Sequence, residues 1–380
     1  MGNPFVAFRF SLYFFLPAAL LCTTNNCGDK PATVSKAKSC GYNMECTPRY
    51  LCDDTNAVIK DGRALIDFRA AVFSRKDSQV CNWSEVCCSL ADKRSIREKE
   101  YTTRGCGYSN PKGVRITIEN ADNNESQFGQ FPWMVAILNK NCSSSQCAYE
   151  VLGGGSLVAP NVVVTVAHIF NRASSASNLL VRAGEWDIKS MAEALPHEDR
   201  KVKTKLIHES FNVETGYNDI ALLLLSTPFK LNEHIDIICL PGRQLFVDSS
   251  RCLVTGWGKR NLDDPGYPHI LKKIEMPLVS DAECQAQLRN TRLGPYYELH
   301  SSFVCAGGEK DKDACFGDGG APLVCPTSTQ STRYNLVGIV VGGVDCGNEN
   351  VPGLYANIHM LQPWIEAKLN QSSITYIDIK

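Results

Sequence analysis

The chain has 380 residues, a formal net charge of -1 and 44% hydrophobic residues, so it is long enough for two or more packed domains. A charge balance this close to neutral gives no electrostatic basis for binding nucleic acid or an anionic membrane surface. The 18 cysteines lack paired Cys-x-x-Cys spacing, which favours disulfides in an oxidising compartment over zinc sites.

The N-terminus is typical of a secretory signal. Arg9 precedes an apolar run from Phe10 to Cys22, which is shorter than the roughly 20 residues of a membrane-spanning helix. We therefore predict a signal peptide over residues 1–24, a secreted protein and no membrane span. N-glycosylation sequons, which are compatible with secretion, occur at Asn82, Asn124, Asn141 and Asn370.

Six cysteines cluster in residues 38–90, with the spacing Cys-x5-Cys-x5-Cys-x28-Cys-x5-Cys-Cys. A segment of this size cannot bury a self-sufficient core, so it depends on disulfides that each contribute about 2–4 kcal/mol. Spacing alone does not choose among the many pairings that six cysteines allow. Residues 91–115 follow; they are polar and charged, apart from Cys106, and predict a solvated linker.

From residue 116 onwards the chain contains short apolar runs that are rich in branched residues and bounded by turn formers. Residues 133–138, 220–225 and 336–341 are examples, and they are typical of strands in an all-β domain. The glycine run 153–155 lacks the lysine of a phosphate loop and indicates a strand. Apolar spacing between Leu361 and Leu369, with Pro363 near the start, predicts one amphipathic C-terminal helix.

Three motifs carry the chemistry of this domain. Residues 315–322 read Cys-Phe-Gly-Asp-Gly-Gly-Ala-Pro, which resembles the Gly-Asp-Ser-Gly-Gly-Pro motif of chymotrypsin-like serine proteases, with Gly319 at the position of the serine. Thr-Val-Ala-His at 165–168 and Asn-Asp-Ile-Ala-Leu at 218–222 resemble the histidine and aspartate motifs. The resemblance implies a double β-barrel with a C-terminal helix over residues 116–372.

A triad of His168, Asp219 and Gly319 lacks the hydroxyl oxygen that attacks the substrate. Loss of that serine costs on the order of a million-fold in turnover, or roughly 8 kcal/mol. Backbone N–H groups at Gly317 and Gly319 would still shape an oxyanion hole, which alone leaves only a residual rate. We therefore expect no catalytic residue in this chain: it is a pseudo-protease that requires no cofactor.

The cysteine-rich module of residues 38–90 resembles the clip domain of arthropod proteases. As a whole, the chain resembles clip-domain serine protease homologues of the prophenoloxidase-activating-factor and masquerade-like type. The resemblance implies the disulfides Cys40–Cys87, Cys46–Cys81, Cys52–Cys88, Cys106–Cys239, Cys252–Cys325, Cys284–Cys305 and Cys315–Cys346. Cys142 and Cys147 predict a local bridge, and the state of Cys27 is left open.

The resemblance also bears on binding and activation. It implies that Asp313 lies at the base of the primary specificity pocket, where it would favour arginine or lysine; a solvated or locally paired carboxylate is the alternative. Val341 and Gly342 replace the usual Ser-Trp of that pocket. In active relatives a cut before an Ile-Val start frees an amine that pairs with the aspartate, here Asp318. The start at Ile116 lacks the following glycines, so ordinary zymogen switching is not expected.

Two further sites are predicted from loops. A loop tip with an Asp-Gly turn and basic residues is a natural target for a trypsin-like protease, and relatives are cut within this module; Arg69 is the first choice and Arg63 the second. Several carboxylates around one later loop suggest calcium ligands, namely Glu185, Asp187 and Glu198. A solvated acidic loop is the alternative.

By resemblance, the function would be that of a haemolymph cofactor in melanisation and innate immunity. An upstream clip-domain protease would cut the clip region, and the product, as a docking surface or an oligomer, would support conversion of prophenoloxidase to phenoloxidase. A different class is a non-enzymatic recognition or adhesion protein that binds microbial surface polysaccharide or matrix. A residual hydrolase that uses His168 and Asp219 with an activated water is a third.

Overall fold

A computed structural model describes residues 38–42, 44–48, 64–67, 81, 85–89, 104–119, 124–142, 147–172, 175–189, 193–242, 247–261, 263, 265–329 and 331–372. The predicted signal peptide, Cys27, Cys52 and both predicted cleavage residues, Arg63 and Arg69, lie outside these residues. Among the described residues, no helix is long and apolar enough to cross a bilayer.

Among the residues that the structure describes, five short strands precede the barrels. They are β1 (Ser39–Gly41), β2 (Met44–Pro48), β3 (Ala64–Asp67), β4 (Glu85–Ser89) and β5 (Ile116–Glu119). Strands β1, β2 and β4 form an antiparallel sheet that the disulfides Cys40–Cys87 and Cys46–Cys81 cross-link. Strand β3 belongs to a separate two-stranded sheet, in which it pairs in parallel with β5. The backbone of the cysteine-rich module therefore contacts the start of the next domain.

The first half of the large domain is a closed six-stranded barrel. Its strands are β6 (Met134–Cys142), β7 (Cys147–Ala159), β8 (Val162–Thr165), β9 (Leu179–Ala183), β10 (Glu198–Ile207) and β11 (Ala221–Leu225). They are hydrogen-bonded in the order β10-β11-β8-β7-β6-β9, and β9 returns to β10. Closure leaves no edge strand in this barrel.

The side chains of β6 alternate between two apolar cores, so this one strand contributes to both. Val135 and Ile137 pack inside the first barrel, whereas Met134, Ala136 and Leu138 pack into the larger apolar cluster that fills the second half of the domain. Successive side chains of a strand point to opposite faces. An uninterrupted apolar run is therefore what a strand between two cores requires.

The second half is a curled antiparallel sheet of seven strands, in the order β13-β12-β16-β17-β18-β15-β14. The elements are β12 (Cys252–Gly256), β13 (Lys272–Met276), β14 (Leu278–Val279), α1 (Asp281–Arg289), β15 (Phe303–Gly307), β16 (Pro322–Pro326), β17 (Tyr334–Gly342), β18 (Pro352–Asn357) and α2 (Ile358–Gln371). Two curled antiparallel sheets with a C-terminal helix confirm the predicted double barrel, and the three predicted strand regions correspond to β6, β11 and β17.

The helices differ from the prediction in two respects. Helix α2 begins at Ile358, because the side chain of Asn357 caps it by accepting a hydrogen bond from the Met360 N–H; Pro363 thus lies inside the helix rather than at its start. Helix α1 was not predicted. The sequence feature that marks its start is Ser280 followed three residues later by Glu283: the Ser280 side chain caps the helix by accepting a hydrogen bond from the Glu283 N–H.

The described part of the predicted linker, residues 104–115, is not a solvated segment. The Cys106–Cys239 disulfide fixes it to the large domain. Backbone hydrogen bonds continue the attachment, from Gly107 N to Ile237 O at 2.7 Å and from Tyr334 N to Gly107 O at 2.8 Å. The charged residues that suggested a linker, 93–100, lie outside the described residues. Residues 106–115 are therefore attached to the large domain, while the predicted domain boundaries stay a prediction.

Candidate functional site

The histidine and aspartate motifs meet because their strands are neighbours. Strand β8 ends at Thr165, just before His168, and pairs with β11, which begins just after Asp219. His168 Nδ1 lies 2.5 Å from Asp219 Oδ2. The other carboxylate oxygen accepts from the N–H groups of Ala167 at 2.7 Å and His168 at 2.9 Å. The buried carboxylate therefore fixes the imidazole, with Nε2 left for the third position.

That third position is spatially intact but has no side chain. A Cβ on Gly319 would lie 3.1 Å from His168 Nε2. The carbonyl of Gly319 accepts from Gly154 N at 2.9 Å, and a Cβ on Gly153 would lie 2.3 Å from the same carbonyl oxygen. The glycine run is thus part of strand β7, where two backbones approach too closely for any side chain.

Asp318, which precedes Gly319, is buried and fully hydrogen-bonded. Its Oδ1 accepts from Gly258 N at 2.8 Å, and its Oδ2 accepts from Cys315 N at 3.0 Å. The same Oδ2 lies 2.6 Å from the ammonium Nζ of Lys272. Lys272 was missed by the sequence analysis, although strand alternation places it on the same face as Ile274 and Met276, both of which are buried.

Gly317 and Gly319, the predicted oxyanion donors, flank Asp318 in one loop. Gly317 has a φ of 94°, which favours glycine. A Cβ there would lie 2.7 Å from Cε1 of Tyr267, so an aromatic ring packs against this backbone. The neighbouring Phe316 side chain is half exposed. The loop therefore presents aromatic surface beside the position of the missing nucleophile.

Asp313, predicted at the base of the specificity pocket, is only 4% exposed, which excludes the solvated alternative. Its Oδ2 accepts from Gly347 N at 3.1 Å, whereas Oδ1 has no hydrogen-bond partner among the described residues. Burial raises the pKa of Asp313 to about 6. A Cβ on Gly342 would meet nothing within 4 Å, so the wall that tryptophan usually provides is open.

The predicted calcium ligands do not form one cluster. Glu185 lies with Glu193 and His197, whose ligand atoms are all within 4.8 Å of one another. Asp187 instead contacts His269 at 3.0 Å, and Glu198 pairs with Arg200 at 2.5 Å. Calcium takes six to eight oxygen ligands, and two carboxylates with an imidazole do not match that shell.

The Glu185 group is instead balanced internally. Glu185 Oε2 lies 3.1 Å from His197 Nδ1 and 3.2 Å from Arg182 Nη1. Glu193 Oε1 accepts from the N–H groups of Trp186 at 3.1 Å and Asp187 at 3.0 Å. Burial, followed by the hydrogen bond and the charge of Glu185, raises the pKa of Glu193, so that Glu193 holds the proton of the hydrogen bond between the two carboxyl groups.

The disulfides of the described residues are the pairs that the resemblance implied. They are Cys40–Cys87, Cys46–Cys81, Cys106–Cys239, Cys252–Cys325, Cys284–Cys305 and Cys315–Cys346. The backbones of Cys142 and Cys147 lie opposite each other in the β6–β7 ladder, but their side chains are outside the described residues. Cys52–Cys88 also stays a prediction.

Comparison with known proteins agrees with this geometry. A family model described as Trypsin matches residues 121–365, and one described as Serine protease Clip domain PPAF-2 matches residues 33–89. The chain is 45% identical over 278 residues to phenoloxidase-activating factor 2 of Galleria mellonella, which covers 71% of this chain and 91% of that protein.

Two mosquito proteins extend the similarity over more of the chain. The inactive CLIP domain-containing serine protease A8 of Anopheles gambiae is 38% identical over 331 residues, 85% of this chain and 88% of its own length. The inactive CLIP domain-containing serine protease A28 of the same species is 34% identical over 356 residues, 88% of this chain and 91% of its own length. The chain therefore belongs to the trypsin family and carries an N-terminal clip domain.

Proposed function

We propose that this protein is a secreted, catalytically inactive serine protease homologue that acts as a cofactor of prophenoloxidase activation in the haemolymph. The observation that carries the proposal is the Gly319 position, which faces an aligned His168–Asp219 pair but offers no atom for nucleophilic attack. The name of the Galleria relative and the descriptions of the mosquito relatives as inactive support both halves of the proposal.

A scaffold of this kind acts by binding. The cleft keeps the hydrogen bonds of its loops while lacking the reaction, so the barrel offers a rigid surface to prophenoloxidase or phenoloxidase. The orphaned oxygen of Asp313 and its open wall at Gly342 suit a basic side chain of a partner. Two-barrel packing, with four disulfides among the described residues that involve the large domain, keeps such a surface ordered.

Proteolysis within the clip domain is the proposed switch. Arg63 directly precedes β3 in the sequence and Arg69 follows it by two residues. The backbone of β3 pairs with β5 at the start of the protease-like domain, from Ala64 opposite Ile116 to Asp67 opposite Glu119. A cut at either arginine, made by an upstream clip-domain protease, frees one end of the strand that joins the two modules. The change in docking of the clip domain then permits partner binding or oligomerisation.

The test is a reconstitution with the purified full chain, prophenoloxidase and its activating clip-domain protease. Wild type is compared with Arg69→Ala and Arg63→Ala, and with Arg292→Ala as a matched control, because Arg292 is exposed on the barrel. We expect wild type and the control to be cut and to raise phenoloxidase activity, whereas one clip variant stays uncut and silent.

A reconstitution in which phenoloxidase activity does not rise would contradict the proposal. If cut wild type adds nothing to phenoloxidase activity, the cofactor role is wrong. Retention of the intact chain by peptidoglycan or glucan, without clip cleavage, would then support the recognition and adhesion alternative.

A further inference from the structure

Asp318 is a buried carboxylate whose charge is neutralised by a lysine of the uncut chain, Lys272. Asp318 and Lys272 are each 1% exposed, and Lys272 Nζ lies 2.6 Å from Asp318 Oδ2. The same ammonium donates to the carbonyl of Lys259 at 2.6 Å. A buried charge that loses its only counter-charge is strongly destabilising, so each member of this pair holds the other in place.

The site around the pair is shaped for this carboxylate. A Cβ on Gly256 would lie 2.3 Å from Asp318 Oδ1, and a Cβ on Gly258 would lie 2.4 Å from its Cγ. The strand that ends at Gly256 and the turn after it thus contact the carboxylate with bare backbone. With Gly258 N on Oδ1, and Cys315 N and Lys272 Nζ on Oδ2, both oxygens are engaged.

Strand β5, whose first residue Ile116 would carry the amine freed by an activating cut, is held in place by β3 and by its own backbone hydrogen bond. Ile116 is buried, its N–H donates to Val114 O at 2.7 Å, and its strand pairs with β3. The backbone of Ile118, two residues after Ile116, is held by the Gln127 side chain through hydrogen bonds of 2.6 Å and 2.9 Å. The uncut chain therefore fixes Ile116 in a strand while Lys272 fixes Asp318.

We propose that Lys272 is a positioning residue that serves as a built-in activation cation. Its ammonium holds the loop 315–320 in its assembled form in the uncut chain, so the cleft forms without any cut before Ile116. An amine freed at Ile116 would meet a carboxylate of Asp318 whose two oxygens are already hydrogen-bonded and whose charge Lys272 already neutralises. Assembly of the cleft is thereby separate from the clip cleavage proposed above and does not depend on the phenoloxidase role.

A continuous set of contacts carries the effect of Lys272 to the specificity pocket. Asp318 Oδ2 accepts from Cys315 N, and Cys315 is disulfide-bonded to Cys346. The next residue, Gly347, donates its N–H to Asp313 Oδ2 at 3.1 Å. Loss of the cation is therefore expected to loosen residues 313–320 and 342–347 together, and to leave strands β9–β11 of the first barrel unchanged.

Hydrogen–deuterium exchange of the purified, uncut full chain tests the proposal. Lys272→Met removes the cation, and Lys273→Met is the matched control, because its ammonium lies on the opposite face of the same strand and is 3.4 Å from Gln130. We expect Lys272→Met to speed exchange in residues 313–320 and 342–347 by at least about tenfold, with no change in β9–β11 and none in the control. Equal protection in both variants would overturn the proposal.

Two further measurements keep the test decisive if Lys272→Met folds poorly. Wild type is measured before and after a cut between Arg115 and Ile116, and the proposal expects the loop to be equally protected in both forms. Protection that arises only after the cut would overturn it. In the double variant Lys272→Met with Asp318→Asn, which buries no unpaired charge, we expect recovery of at least half of the lost melting temperature; no recovery would show that the charges are not coupled.

Discussion

His168 Nε2 lies 3.1 Å from the point where a Cβ on Gly319 would stand. The imidazole is already oriented, since its Nδ1 is 2.5 Å from the carboxylate of Asp219. The cleft thus retains an aligned base and its orienting acid, but not the atom on which they act. On the proposed account, one missing side chain removes catalysis, while the scaffold around it stays assembled.

Gly319→Ser is therefore expected to restore reactivity with a fluorophosphonate probe, which labels activated serines. The added side chain enters at a tight distance from His168, so the ring has to shift by a few tenths of an ångström. Since Lys272 already holds the neighbouring loop, labelling should occur in the uncut chain. Wild type should not be labelled. Mass spectrometry of the labelled peptide locates the adduct.

The control for this prediction is the double variant Gly319→Ser with His168→Ala. A general base contributes about 10²–10⁴-fold, so labelling of the double variant should be at least about a hundredfold slower. If both variants react equally, the pair of His168 and Asp219 does not activate the serine. Peptide hydrolysis should stay weak even in Gly319→Ser, because Val341 and Gly342 replace the residues that hold a substrate backbone.

How far the sequence predicts the site depends on whether a residue belongs to a motif. His168, Asp219 and Gly319 stand in contiguous motifs and could be assigned directly. Lys272 stands in no motif, and a lysine on a strand is ordinarily solvated; only the alternation with Ile274 and Met276 marks its face as buried. Its partner is 46 residues away in sequence, a separation that local patterns do not bridge.

The acidic residues between 185 and 198 show why carboxylates that are close in sequence need not share one site. Counting carboxylates suggested a cation site at Glu185, Asp187 and Glu198, but each of these carboxylates contacts a basic side chain instead. Arg182 on β9 and His197 before β10 balance Glu185. Local composition predicts the presence of charge in a loop, whereas the pairing of strands determines which charges meet.

Glu193→Gln is expected to be neutral or mildly stabilising near pH 7. The raised pKa keeps Glu193 protonated, and glutamine reproduces that form: its oxygen accepts from the N–H groups of Trp186 and Asp187 while its amide donates to Glu185. Glu185→Gln, the matched variant, removes one of the two carboxylates that pair with Arg182, the other being Asp199, and also the carboxylate beside His197; it should cost about 2–3 kcal/mol. Chemical denaturation of both variants gives the two free energies.

A larger loss from Glu193→Gln than from Glu185→Gln would contradict this assignment of the proton. Calcium offers an independent check on the same group. We expect no shift in melting temperature on adding millimolar calcium or a chelator to wild type. A rise with calcium that Glu193→Gln abolishes would show a metal site here.

Binding of a benzamidine to the Asp313 pocket is expected to depend on pH. The cation binds the ionised carboxylate, and burial raises the pKa of Asp313 to about 6. Affinity should therefore be constant above about pH 7 and fall roughly tenfold for each unit below pH 6. Asp313→Asn should abolish binding at every pH. Calorimetric titration checks both, and an affinity that is constant from pH 5 to 8 would rule out Asp313 as the base of the pocket.

The same pKa shift has a consequence for stability, with a definite sign. The folded state binds the proton of Asp313 more tightly than the unfolded state, whose carboxyl has its ordinary pKa of 3.8. As the pH rises from about 4 to 6, this one group therefore lowers the free energy of unfolding. In Asp313→Asn that contribution is absent.

The most direct test of a non-catalytic cofactor is His168→Ala in the reconstituted phenoloxidase assay, with clip cleavage and melting temperature matched to wild type. The account predicts that cut wild type and cut His168→Ala raise phenoloxidase activity equally, because no step uses the imidazole as a base. Loss of support in the variant, at equal cleavage and stability, would show that the protein acts by residual catalysis and would contradict the account.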